Sequence, residues 1–164
     1  MLTLAGGCSV ATVDEPLTKT LSGNDRASQM EFWHSLYDQP VTSTDDAFHA
    51  LLLFSDEQDP AEDYGDRVRL FQKRGWIPDN FATPANQAIT RGTVAVILTK
   101  LLNIKGGLTI KMIGNHPRYA VRELRFVGLY PPSSPHQTFT GVQFASLMGR
   151  VEDYQRTPET EWGN

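Results

Sequence analysis

Apolar residues recur at helical spacing along most of the chain, and this periodicity predicts a succession of short amphipathic helices. The stripes are Met30, Trp33, Leu36 and Tyr37 in a helix over 28–39, Phe48, Leu51 and Leu52 in one over 43–55, Val68, Leu70 and Phe71 in a third, Val94, Ile97 and Leu98 in a fourth, Val121 and Leu124 in a fifth, and Phe144, Ala145, Met148 and Val151 in a sixth. The second segment is apolar on almost every side, which favours a central position in the core. The pattern therefore predicts an all-α fold.

One pattern occurs twice in the second half. Residues 75–78 read Gly-Trp-Ile-Pro, and residues 128–131 read Gly-Leu-Tyr-Pro; in each copy a loop follows, and then a helix with a threonine as its N-cap, Thr90 or Thr140. Two helix–loop–helix units over about 61–103 and 116–154 are predicted to stack. With the two N-terminal helices they would form one bundle-like domain over 28–155. Alternation over 108–113 predicts one short extended segment.

Composition narrows the functional classes. The chain has 164 residues, a net charge of −4 and a pI of about 5.5, which argue against a nucleic-acid partner held through phosphates. A single cysteine excludes an internal disulfide and a cysteine-rich zinc site.

The position of that cysteine suggests a location. Cys8 follows Leu-Ala-Gly-Gly, which resembles the end of a bacterial lipoprotein signal peptide. On this interpretation residues 1–7 are a remnant of the signal, Cys8 carries lipid, residues 8–27 are a flexible tether and 156–164 a polar tail. The resemblance implies a protein anchored in the bacterial cell envelope, on its periplasmic or outer-surface side. The alternative is a disordered N-terminus that happens to contain a cysteine.

The repeated unit resembles the S-layer homology domain. Ile89-Thr90-Arg91 matches the motif that opens the second helix of that module, and Gly75-Trp76-Ile77 matches the turn before it. The resemblance implies a noncatalytic module that binds cell-wall glycan or peptidoglycan-linked polymer, with Arg91, Thr90 and Trp76 at the ligand. Gly92 and Thr93 stand where the family has Ala-Glu, and the second unit has no arginine after Thr140.

Elementary chemistry also favours Arg91 as a ligand contact. A helix N-terminus offers unpaired N–H groups and a positive dipole end, and a guanidinium adds a fork of donors suited to carboxylate or phosphate. Alternatively, Arg91 is solvated or pairs with Asp79. Arg118, Arg122 and Arg125 form either a basic strip or simply the solvated face of an amphipathic helix.

Other candidate chemistry is weak. The acidic run over 55–66 lacks EF-hand spacing, and an acidic loop leading into a helix near Pro60 or Ala61 is preferred to a calcium loop. On that third helix Arg67, Arg69, Lys73 and Arg74 are expected to face solvent, and Asp45 and His49 to form a surface or capping pair. No catalytic motif, metal set or cofactor loop is found. Two hypotheses remain: an envelope glycan-binding module centred on Arg91, and a structural or protein-interaction lipoprotein without a glycan ligand.

Overall fold

The computed structural model describes residues 10–104 and 116–157, and within these ranges the chain is helical with no β-strand. The elements are a 3₁₀ turn, Leu17–Lys19, and six α-helices: α1 Arg26–Tyr37, α2 Thr44–Asp56, α3 Tyr64–Lys73, α4 Arg91–Leu101, α5 Pro117–Phe126 and α6 Gly141–Arg156. The predicted all-α fold is confirmed. Cys8, the predicted extended segment at 108–113 and the tail from residue 158 lie outside the described residues.

Local sequence signals place most of the helix ends. The side chains of Ser43, Thr90 and Thr140 each accept a hydrogen bond from the backbone N–H three residues ahead, and Thr140 completes a capping box with Gln143. Asp63 caps α3, so this helix begins at Tyr64, three or four residues beyond the predicted start at Pro60 or Ala61. These caps satisfy amides that the helices themselves leave unpaired.

The helices α3 and α5 end in the same geometry, each at the glycine of the repeated pattern. Gly75 and Gly128 have φ of 67° and 80°, the left-handed region that only glycine enters without strain. The N–H groups of Trp76 and Leu129 then donate to the carbonyls five residues earlier, as in a Schellman motif. The α3–α4 and α5–α6 pairs are therefore equivalent units.

The helices α1 and α2 form a third unit of the same kind, although the sequence predicted only two N-terminal helices covering a pair of units. The first backbone N–H of each second helix donates to a loop carbonyl of the next unit. These bonds are Thr44 to Gln87 at 2.8 Å, Arg91 to Gln137 at 2.7 Å and Gly141 to Gln39 at 2.9 Å. Because the third bond joins α6 to the α1–α2 loop, the three helix pairs close into a ring.

The hydrophobic core lies inside this ring, and α2 contributes most to it. Residues Thr44 to Leu53 of α2 are all buried, as its apolar composition predicted, and Phe48 stacks on Phe71 with ring centroids 4.2 Å apart. The predicted face of α1 is wrong in part. Met30 and Tyr37 are exposed, while Phe32 and Leu36 are fully buried. The sequence of α1 has apolar residues on most sides of the helix, so their spacing alone could not identify the buried face.

The predicted flexible tether over 8–27 is wrong for its described part. Residues 10–21, which we call the N-terminal strap, lie against α2 and against the loop before α4. The N–H of Ala88 donates to the Ala11 carbonyl at 2.8 Å. Thr18 is buried, and its Oγ1 donates to Asp45 at 2.7 Å while its N–H donates to Asp46 at 3.1 Å. Besides these hydrogen bonds, the partly buried side chains of Leu17 and Leu21 pack against the core and hold the strap.

Candidate functional site

A buried ionic cluster joins α2, α3 and the acidic loop. Arg67 is 2% exposed; its Nε lies 2.5 Å from an Asp59 oxygen and its Nη1 2.8 Å from Asp45 Oδ1. His49 Nδ1 lies 2.6 Å from Asp59 Oδ2. The expectations that Arg67 faces solvent and that Asp45 and His49 form a surface or capping pair are therefore wrong.

This cluster has no access for a ligand. Burial acts to raise the pKa of Asp59, but hydrogen bonds from His49, the Ala61 N–H and Arg67 outweigh it and hold the pKa below its usual range. His49 Nε2 has no hydrogen-bond partner among the described residues and is fully buried, with the ring edge-on to Phe32 at 4.6 Å. Among the described residues no group of three or more His, Cys, Asp or Glu side chains could hold a metal ion. The cluster is a structural tie between helices.

Arg91 occupies a different environment, near the start of α6. It is 8% exposed, its Nη2 donates to Gln143 Oε1 at 3.1 Å, and its guanidinium carbon lies 4.8 Å from the centre of the Phe139 ring. The alternatives of a solvated Arg91 or one paired with Asp79 are therefore wrong. Its acceptors are neutral, and it forms no ion pair within the described residues.

The start of α4 does not offer the open N–H groups that the sequence suggested. The N–H of Arg91 donates to Gln137 and that of Gly92 to Pro135, at 2.7 and 2.8 Å. The N–H of Thr93 is capped by Thr90. An anion at this helix end would therefore be bound by the guanidinium and not by the backbone.

A cavity of about 210 Å³ opens beside Arg91. Its wall includes a second arginine, Arg150, which donates to the Leu129 carbonyl at 3.2 Å. No acidic side chain of the described ranges 10–104 and 116–157 lines it. Tyr130 closes one side, with its hydroxyl donating to the Arg91 carbonyl at 3.0 Å. Burial raises the pKa of Tyr130, so this hydroxyl stays protonated and keeps donating. Two cationic side chains therefore face one cavity without a counter-charge in its wall.

The other two predicted ligand residues, Thr90 and Trp76, do not line the cavity beside Arg91. Thr90 is engaged as the cap of α4, and Trp76 packs edge-on to Phe71 at 5.1 Å with the Arg74 guanidinium over its ring. Gly75 accepts from the side chain of Lys100, whose backbone lies about 14 Å along α4 from Arg91, so Trp76 and Arg91 lie towards opposite ends of α4. Sequence reasoning missed Arg150 and Phe139, which long-range packing brings to Arg91 together with Tyr130.

The ring of three units contains two further positions that correspond to the Arg91 cavity, and both are closed. At the start of α2 the N-terminal strap binds through Thr18. At the start of α6 the backbone of α1 lies so close that a Cβ on Gly141 would be 1.6 Å from the Leu36 carbonyl oxygen. Among these three junctions, only the one with an arginine is open.

Comparison with known proteins gives no relative. No family model matches the sequence, and no curated protein or solved structure matches it significantly. No helix within 10–104 and 116–157 has the length and apolar character needed to cross a bilayer. Function must therefore be inferred from the site itself.

Proposed function

We propose that the protein is a noncatalytic binding module whose Arg91 cavity holds an anionic group of a cell-wall glycan or peptidoglycan-linked polymer. The observation that carries this proposal is the buried Arg91 guanidinium, which faces an open cavity with Arg150 and has no acidic partner in the part of the chain that the structure describes. A buried charge without a counter-charge is costly, and a bound carboxylate or phosphate would offset that cost. The guanidinium fork can bind either group through two hydrogen bonds.

The cellular setting of the proposal comes from the sequence. The resemblance of residues 89–91 and 75–77 to the S-layer homology motif supports a wall polymer as the ligand, and the resemblance around Cys8 supports a lipid anchor in the bacterial envelope. A module held at the membrane and binding wall polymer would link the two layers.

Co-sedimentation with purified cell-wall polymer tests the proposal. We expect the full chain to sediment with the polymer and Arg91→Ala to remain in the supernatant. Arg69→Ala should behave as wild type, because Arg69 is exposed and forms a surface ion pair with Asp66. Thermal unfolding would check that both variants are folded. Equal sedimentation of wild type and Arg91→Ala would contradict the role of Arg91. No sedimentation of the wild type would contradict the ligand class.

A second candidate function is a structural or protein-interaction role without a glycan ligand. A groove of about 620 Å³ between α1, α2 and α6 supports it, since apolar side chains of Trp33, Phe54 and Met148 line it. A photo-crosslinking side chain at Gly149, which borders the groove and has open space around it, should then give one discrete adduct in envelope extracts. The same probe at Arg69 is the control.

A further inference from the structure

Three arginines project from α5 without acidic partners. Arg118, Arg122 and Arg125 are exposed, and none forms an ion pair within the described residues. Their spacing of four and three residues keeps them within about 60° of one another around the helix. Glu123, the acidic residue of α5, lies about 100° or more away from each of them. This face of α5 is therefore a strip of uncompensated positive charge.

The strip borders a depression that adjoins the Arg91 cavity. Arg122, Arg125, Phe126, Tyr130 and Pro132 line this depression of about 480 Å³. Tyr130 also lines the Arg91 cavity, so one aromatic side chain separates the two. Phe126 is 87% exposed, and its flat apolar ring is suited to lie against the C–H face of a sugar.

We propose that this depression is a second anion-binding subsite, so that the ligand is a polymer with repeated anionic groups that spans both sites. One group would bind between Arg91 and Arg150, and a following group would bind at Arg122 and Arg125. This inference rests on the proposed function and extends it from a single anion to a polyanion. Like charges gathered around adjoining depressions reinforce one another's field and favour a multiply charged ligand.

A polymer fits this surface better than a membrane does. Insertion into a bilayer surface needs an apolar helix face, but α5 buries its apolar residues Ala120, Val121 and Leu124 in the core. Phe126 is the single large apolar side chain of α5 that is strongly exposed. The charge strip and the continuity with the Arg91 cavity therefore indicate a soluble or wall-linked polyanion.

Isothermal titration calorimetry at low ionic strength tests the second subsite. The probes are inorganic phosphate and linear polyphosphate for phosphate chemistry, and galacturonic acid and polygalacturonate for carboxylate chemistry. The double variant Arg122→Gln/Arg125→Gln removes two exposed charges, and Lys19→Gln/Arg26→Gln is the matched control because it makes the same charge change on the N-terminal side. Anionic phosphatidylglycerol vesicles provide a membrane arm.

We expect the double variant to bind at least one polymer about tenfold more weakly than the wild type, with unchanged affinity for the monomeric anion and no effect in the control. Equal polymer affinity of wild type and double variant, with loss only in Arg91→Gln, would overturn the second subsite and leave the proposed function standing. Polymer binding that survives Arg91→Gln would overturn the proposed function. Absence of wild-type binding to every polymer would overturn both. Loss confined to vesicle binding would make the strip a membrane contact and also overturn the inference.

Discussion

Replacing Gly141 with alanine tests the contact that closes the ring of units. Gly141 is the first residue of α6, and a Cβ there would lie 1.6 Å from the Leu36 carbonyl oxygen and 2.8 Å from its carbon. Ordinary contact begins at 3.4 Å. The obstacle is the backbone of α1, which cannot rotate aside as a side chain can. The helix ends must therefore separate by more than an ångström to admit one methyl group.

The magnitude follows from what that separation breaks. The 2.9 Å bond from the Gly141 N–H to the Gln39 carbonyl is lost, which costs about 1 kcal/mol. Overpacking between α1 and α6 adds about 1–3 kcal/mol. We expect Gly141→Ala to lower the free energy of unfolding by about 2–4 kcal/mol, a large fraction of the roughly 5–15 kcal/mol typical of a domain.

Gly149 provides the control on the same helix. A Cβ at Gly149 meets nothing within 4 Å, so Gly149→Ala should raise the free energy of unfolding by about 0.5–1 kcal/mol through helix propensity alone. Urea unfolding followed by far-ultraviolet circular dichroism measures both variants. If Gly141→Ala matched the wild type, or both alanines stabilised the protein, the tight approach of α1 to α6 would be refuted.

Three further changes test the interior and the strap. Arg67→Met should lower the free energy of unfolding by about 3–5 kcal/mol because it leaves buried carboxylates unpaired. Arg69→Met, which removes an exposed ion pair, should change the free energy of unfolding by less than about 1 kcal/mol. Urea unfolding compares the two variants. Thr18→Val should cost about 1–3 kcal/mol because Asp45 Oδ2 loses its hydroxyl donor, and it should speed proteolysis of the strap. Hydrogen bonds from Arg74 hold the pKa of Asp56 below its usual value, so Asp56→Asn should be less stable than wild type at pH 7. Urea unfolding at decreasing pH should show this gap closing as acid protonates the wild-type carboxyl.

Each of these has a result that would count against it. A mild Arg67→Met variant, comparable to Arg69→Met, would mean that the buried cluster is not an essential tie. Unchanged proteolysis of Thr18→Val would mean that the strap is not held by α2. A gap between wild type and Asp56→Asn that persisted in acid would exclude the Arg74 pair as its source, because the stability from a lowered carboxyl pKa is lost as the pH falls through that value.

The parts of the fold that short-range signals determine were predictable, and the parts that depend on long-range contacts were not. Thr90 and Thr140 could be assigned as caps because a cap bonds within its own first turn. Arg67 was placed wrongly because its partners lie on other elements. One local signal was available: Arg67 is four residues before the buried Phe71 and so shares its face.

One residue of the candidate site, Arg91, was predicted from the sequence, but most of the residues around it were not. Arg91 was selected because it follows the α4 cap, and it does border a cavity. Phe139 and Arg150 belong to a unit some fifty residues further along the chain, and the packing of the α5–α6 unit against the α3–α4 unit brings them to Arg91. The α1–α2 unit was also hidden, because α1 does not end at a glycine as α3 and α5 do at Gly75 and Gly128.

The ring arrangement constrains how such a module could achieve affinity. Its three junctions are related by the same backbone hydrogen bonds, but the one at α6 is closed by α1 and the one at α2 by the strap. Displacing the strap would uncover Asp45 and Asp46, which would repel an anion. Repetition of the unit therefore cannot multiply one binding site, and only the Arg91 junction suits a negative group. Additional affinity for an anionic ligand would have to come from contacts that extend outward from this cavity, and the adjoining surface is the arginine face of α5.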